Sequence, residues 1–176
     1  LVCLVCAYMY SAGPYPLAAH GWGDVLVVVF FGLVAVGFTY YVQAGEWSPQ
    51  ATLAGLAVGV CINLLLTINN FRDRDQDRLS GKKTLIARFG AEFGLRYYLA
   101  QGGFACAFAL CLIPHGLFWA GVLPLLFLIP HYRVWSRIVS IYEGRALNRC
   151  LGLTSRNILI FSLLLAAGLL LDAFLR

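Results

Sequence analysis

The chain has 176 residues, of which 61% are hydrophobic and only 12% charged, with a formal net charge of +5 and a mean hydropathy of +0.79. That mixture lies outside the range of water-soluble domains and makes the bilayer the working solvent. It excludes a soluble enzyme or nucleic-acid reader: membrane lipid is the expected surrounding and no nucleic acid the expected partner.

Residues 1–9 form an apolar run too short to cross a membrane. They have neither an initiating Met nor the basic flank of a signal peptide. They read as the last turns of a helix, so the chain is expected to be the C-terminal part of a larger membrane protein. A Gly- and Pro-containing loop follows over residues 10–23. Five segments then approach the roughly 20 apolar residues that a helix needs to cross about 30 Å of hydrocarbon: 25–42, 51–68, 97–113, 117–129 and 158–174. The fourth is short and holds Pro124, with Pro130 beyond it. The fold class expected is all-α, a polytopic transmembrane helix bundle of five full spans plus the end of another, forming one domain over residues 1–176.

Of the 13 Lys and Arg residues, 11 fall after the second and fourth spans: Arg72, Arg74, Arg78, Lys82, Lys83 and Arg88 in one group, Arg133, Arg137, Arg145, Arg149 and Arg156 in the other. An alternating topology places both groups, read as loops, on one face, which the positive-inside rule assigns to the cytoplasm. The expected location is thus the inner (plasma) membrane, with the charged face cytoplasmic. Of the six cysteines, Cys3, Cys6, Cys61, Cys106 and Cys111 read as small buried hydrophobes, and Cys3-x-x-Cys6 has no second pair to complete a zinc site. His20, His115 and His131 lie near span boundaries and read as interfacial. There is no internal repeat and no Gly-rich nucleotide loop.

The stretch NNFRDRDQDRLSGKKTL at the end of the second span gathers three aspartates, three arginines and two lysines. No Gly or Pro intervenes before Gly81, so the spanning helix is expected to continue into it. At about 100° per residue Asn69, Asn70, Asp73 and Asp77 share one face, and Asp75 points elsewhere. Two carboxylates with amide oxygens form a hard-ligand set suited to Mg²⁺, which takes one or two carboxylates and fills its shell with water and phosphate oxygens. Arg72, Arg78, Lys82 and Lys83 offer charge-assisted donors to phosphate, with Gly81 turning the lysines back. Asn63 lies at bilayer depth, where a polar group faces a cavity or bonds a neighbouring helix. Tyr10 and His20 are interfacial turn residues or substrate contacts.

The spacing Asn69-Asn70-x-Arg72-Asp73-x-x-x-Asp77-x-x-x-Gly81-Lys82-x-Thr84-Leu85 resembles the second aspartate-rich motif of the UbiA-type intramembrane prenyltransferases, in the form found among 1,4-dihydroxy-2-naphthoate prenyltransferases of menaquinone synthesis. The earlier YSAGPYPLAAHGWGD is similar to that subfamily's loop between the fourth and fifth helices, with Ser11 and Ala12 in place of its Thr-Gly. The resemblance implies a nine-helix fold of which these spans are the last five. It implies transfer of a polyprenyl group from its diphosphate to 1,4-dihydroxy-2-naphthoate, with loss of CO₂ and diphosphate, giving demethylmenaquinone. It also implies Mg²⁺ on Asp73 and Asp77, catalytic roles for these two and Lys82, and substrate contacts from Asn69, Asn70, Arg72, Lys83, Arg78, Tyr10, His20 and Asn63. Aromatic rings such as Phe38, Tyr40 or Tyr41 would face the allylic cation. The family's first aspartate-rich motif has no counterpart here, so this chain alone is expected to be inactive. Other acceptors, namely 4-hydroxybenzoate, homogentisate or haem, remain open, as does a scaffold whose basic loops bind anionic lipid.

The charge distribution makes a test possible. Single cysteines at Ser80 and Gly144, in a background without native cysteines, should both react with a membrane-impermeant thiol reagent from the cytoplasmic side only; opposite accessibility would break the alternating topology.

Overall fold

The computed structural model describes residues 2–12 and 16–175, and among them there is no β-strand. In lipid every backbone polar group must be satisfied within its own segment, which leaves helices as the solution for apolar runs of this length. α1 (Val2–Ser11) leads through a short 3₁₀ turn, Leu17–His20, into α2 (Gly23–Ala44), whose middle, Val28–Phe38, is wound as a π-helix. α3 (Pro49–Leu79) is the longest element. After it come α4 (Leu85–Phe89), α5 (Ala91–Leu110), α6 (Phe118–Val122), α7 (Leu128–Ile141) and α8 (Asn148–Phe174).

α3 is the hub, packing against α2, α5 and α8. It starts sharply: Pro49 opens the helix and the Ser48 side chain accepts the Ala51 N–H at 3.3 Å. Its membrane half is built from small residues, with Ala54, Gly55, Ala57, Gly59 and Cys61 all buried. Small side chains let helix backbones approach where there is no hydrophobic drive between helices. Here they do: a Cβ on Gly59 would lie 2.8 Å from the Val28 carbonyl oxygen, and one on Gly32 would collide with the carbonyl of Gly55.

Among the described residues four helices are long and apolar enough to cross a membrane: Gly23–Ala44, Pro49–Leu79, Ala91–His115 and Arg145–Phe174. The expected fourth span is corrected. It is a broken traverse, α6, a 3₁₀ stretch over Leu123–Phe127 around Pro124, then α7. It nevertheless runs the length of its neighbours. Cys106 Sγ donates to the Pro124 carbonyl at 3.6 Å, His131 to Leu99 O at 3.3 Å and Trp135 Nε1 to Leu95 O at 3.0 Å, three rungs against α5. On the α8 side the Phe127 and Phe161 rings meet edge to face, and Asp172 accepts the N–H groups of Trp119 and Ala120 at 3.0 and 2.9 Å. Arg133 and Arg137, expected in a loop, lie on α7, and they lower the hydropathy of its second half.

His131 is a second correction. It is not interfacial but 1% exposed, stacked between the rings of Tyr98 and Phe127, and Gly102 makes room for it. Cys61 and Cys106 are buried as expected, and Cys150 is buried too, whereas Cys3 and Cys111, expected to be buried, are exposed.

Replacing Gly59 by Leu should force α2 and α3 apart, while Gly103→Leu, where an added Cβ meets nothing within 4 Å, should be tolerated. Heating detergent-solubilised variants and measuring the fraction that stays monodisperse separates the two; equal loss would refute the close contact.

Candidate functional site

The charged end of α3 and the loop before α2 enclose a cleft of about 300 Å³. Successive turns of α3 deliver Asn69, Asn70, Asp73 and Asp77 to it from one face. The helix ends at Leu79, and Gly81, with a φ of +74°, reverses the chain. Lys82 comes back over the last turn, its N–H donating to Asp77 O at 2.9 Å and its Nζ lying 3.1 Å from Asp77 Oδ1. Thr84 then caps α4 by accepting the Ala87 N–H at 3.2 Å, and it too lines the cleft.

The opposite wall is the loop with Pro16, Ala18, Ala19 and Gly21, together with Tyr10. The Lys83 N–H donates to Ala19 O at 2.7 Å and joins the walls. Gly21 has a φ of +88°, and a Cβ there would fall 2.7 Å from the Lys83 carbonyl oxygen, so glycine is required for this approach. The resembling Gly13-Pro14 pair lies outside the described residues.

Each α3 carboxylate in the cleft is matched by a cation. Arg72 grips Asp73 with two bonds, Nε to Oδ1 at 2.7 Å and Nη2 to Oδ2 at 2.6 Å, and also donates to Asn69 Oδ1 at 2.8 Å and Asn148 Oδ1 at 3.0 Å. Asp77 holds Lys82. Asp75 is exposed, near Arg74 and Arg78, and does not line the cleft. Tyr10 sits at the polar end of α1, where burial first, and then the negative charge of Asp24, push its phenol up, so it stays a donor. Tyr10 also lines a second, apolar groove of about 480 Å³ with Cys6, Leu26, Phe30 and Phe31.

Of the residues expected from sequence, Asn69, Asn70, Asp73, Asp77, Lys82 and Tyr10 meet in the cleft, with Arg72 bracing its edge. The others stand elsewhere. Arg78 donates to the Ala87 carbonyl at 2.8 Å and steadies α4. Lys83 is exposed and contributes its backbone. His20 bonds back to Pro16 O through Nδ1 at 2.8 Å. Asn63 bonds between helices, its Nδ2 donating to Asp24 Oδ1 at 2.9 Å and to the Tyr97 hydroxyl at 3.3 Å. Phe38 and Tyr41 pack on Trp47 at the end of α2 remote from the cleft, a correction to their expected place. Sequence reasoning missed Asp24, which lines the cleft at 7% exposure. Its signal was a carboxylate at the start of an otherwise uncharged apolar run. Among the described residues no three His, Cys, Asp or Glu side chains are close enough to share one ion. Any cation here would therefore rest on Asp73 and Asp77 with water or ligand oxygens, which is how Mg²⁺ is ordinarily held.

A membrane-embedded helical bundle with a polar, carboxylate-bearing cleft at one end is the class of protein these features define. The UbiA prenyltransferase family matches residues 1–151, and the chain belongs to that family. A protein of Haemophilus influenzae named 1,4-dihydroxy-2-naphthoate octaprenyltransferase is 40% identical over 98 residues, covering 56% of this chain and 32% of that relative. One of the same name from Escherichia coli is 37% identical over 105 residues, 58% and 34% of the two chains. A Synechocystis protein named 2-carboxy-1,4-naphthoquinone phytyltransferase is 28% identical over 93 residues, 53% and 30%. The match thus spans about a third of each relative's length. No solved structure matches the chain significantly.

Asn63→Leu should lower stability by about 2 kcal/mol, because it takes a hydrogen-bond donor from a buried carboxylate; a thermal midpoint in detergent equal to wild type would show that the Asn63–Asp24 bond does not hold α2 to α3.

Proposed function

We propose that this chain supplies the diphosphate-binding half of a Mg²⁺-dependent prenyltransferase, which moves a polyprenyl group from its diphosphate to 1,4-dihydroxy-2-naphthoate with loss of CO₂ and diphosphate. The product would be demethylmenaquinone. The observation that carries the reading is the convergence of Asn69, Asn70, Asp73, Asp77 and Lys82 in one cleft at the end of a membrane-long helix. The acceptor is proposed from the naphthoate and naphthoquinone in the relatives' names. The cleft mouth would face the cytoplasm, as the distribution of basic residues suggests.

The donor set fits the metal. Asp73 and Asp77 would hold Mg²⁺, with Asn69 and Asn70 offering amide oxygens beside them. Bound there, Mg²⁺ supplies positive charge that stabilises the departing diphosphate. The chain's own cations would act on the same charge: Arg72 and Lys82, paired here with Asp73 and Asp77, would donate to phosphate oxygens. Tyr10, shared by the polar cleft and the apolar groove, suits a molecule with a charged head and a hydrocarbon tail. The groove excludes water, which protects an electron-poor allylic carbon from hydrolysis.

The test compares Asp73→Asn, Asp75→Asn and Asp77→Asn in the full-length protein at matched expression, measuring prenyl transfer against Mg²⁺ concentration. Asp73 and Asp77 variants should lose about 3 kcal/mol of transition-state stabilisation, roughly a hundredfold in rate, and Asp75→Asn should change little. Equal damage from all three, or an intact rate in Asp73→Asn, would place the metal site elsewhere.

A further inference from the structure

The cleft contains a third carboxylate that diphosphate binding does not use. Asp24 is 7% exposed, lines the cleft beside Leu66 and Tyr10, and is held by Asn63 Nδ2 at 2.9 Å. Among the described residues it has no ion-pair partner, whereas Asp73 has Arg72 and Asp77 has Lys82. A buried carboxylate without a cation is expensive, and an asparagine would serve a purely structural bond to Asn63 as well. Asp24 also stands apart from the metal pair, since no three such side chains among the described residues can share an ion. Its anchor, Asn63, precedes Asp73 by ten residues on α3, about 15 Å further into the bundle along the axis. The Tyr97 hydroxyl, which receives the second bond from Asn63 Nδ2, also neighbours the Asp24 carboxylate.

We infer that Asp24 is the specificity residue for the second substrate, receiving the hydroxyl group of a hydroxylated aromatic acceptor; the inference rests on the transferase reading above. With Asn63 donating to Oδ1, the other Asp24 oxygen is left as an acceptor, so what it selects is a donor. An O–H···O⁻ bond is short and about twice as strong as a neutral one. It draws the hydroxyl proton toward Asp24, leaves electron density on the ring oxygen, and so raises the nucleophilicity of the ring carbon that attacks the prenyl group. An acceptor whose oxygen carries methyl in place of hydrogen offers Asp24 no donor, leaves the carboxylate with its protein partners alone, and is rejected strongly.

The experiment uses the full-length protein in proteoliposomes with Mg²⁺, a labelled polyprenyl diphosphate, and either 1,4-dihydroxy-2-naphthoate or its two mono-O-methyl ethers. Wild type should prefer the dihydroxy acceptor over one of the ethers by at least a hundredfold in kcat/KM. In Asp24→Asn the amide can donate to an ether oxygen, so that preference should shrink below tenfold and the acceptor KM should rise at least tenfold. The KM for the prenyl diphosphate should stay within twofold. A preference and acceptor KM both within twofold of wild type would overturn the inference. Should Asp24→Asn fail to assemble, Asp24→Glu keeps the carboxylate and should keep the hydroxyl preference while shifting acceptor KM; loss of that preference would overturn it equally. Failure of the underlying reading looks different: wild type would then transfer prenyl to none of the three acceptors.

Discussion

The length of α3 is the constraint from which the site follows. Thirty-one residues rise about 46 Å at 1.5 Å per residue, and the hydrocarbon layer takes only about 30 Å. The remaining turns must project into the headgroup region and beyond, still wound with the same period. A face that points at α2 and α5 inside the membrane therefore points, a few turns later, at the loop that connects α1 to α2. Asn63, Asn70 and Asp77 lie on one continuous strip, buried at 1%, 9% and 5%. Backbone hydrogen bonding within the helix holds the spacing of these groups, so no loop has to be ordered to place the two carboxylates relative to each other.

The charge pattern around that strip is nearly balanced within the cleft, and it is balanced by neighbours on the same stretch of chain. Arg72 spans from Asp73 and Asn69 to Asn148 on α8, which fastens the first pair to a second helix. Lys82 reaches Asp77 across a glycine turn, and its side chain is half-exposed. The first pair is thus a multiply bonded clamp and the second a single contact on a short hinge. Arg74, two residues from Arg72, does different work: it is buried, sits over the rings of Phe71 and Tyr142, and donates to the carbonyls of both residues. Three arginines within seven residues serve a cleft wall, a helix junction and, through Arg78 and the Ala87 carbonyl, the seating of α4.

The helix through Asn69 to Leu79 was legible because a single period of 3.6 and the absence of Gly or Pro before Gly81 determine it locally. The grouping of Asn69, Asn70, Asp73 and Asp77 followed from the same arithmetic. What escaped depended on other helices. Sequence left Asn63 open between facing a cavity and bonding a neighbouring helix, because the partners that decide it, Asp24 and Tyr97, are 39 and 34 residues away in the chain and arrive from two different elements. Phe38, Tyr40 and Tyr41 were misplaced because α2 begins at the cleft and ends at the far side, a direction that composition does not carry. His131 seemed interfacial by its place near Pro130, yet the helical traverse continues through it, and Gly102 leaves room for the imidazole between two rings. The broken traverse itself was obscured because Pro124 divides the apolar signal, while the rungs that align it with α5 are side-chain contacts invisible to hydropathy.

The bond between Asp172 and the start of α6 bears on biogenesis. The carboxylate that caps Trp119 and Ala120 is synthesised 52 residues after Ala120, near the end of α8. Until α8 has emerged from the ribosome and entered the bilayer, the first amides of α6 lack this partner, and the broken traverse has only α5 to lean on. Insertion of α8 is then also the step that finishes the traverse before it, so these two segments mature as a hairpin rather than in strict N-to-C order.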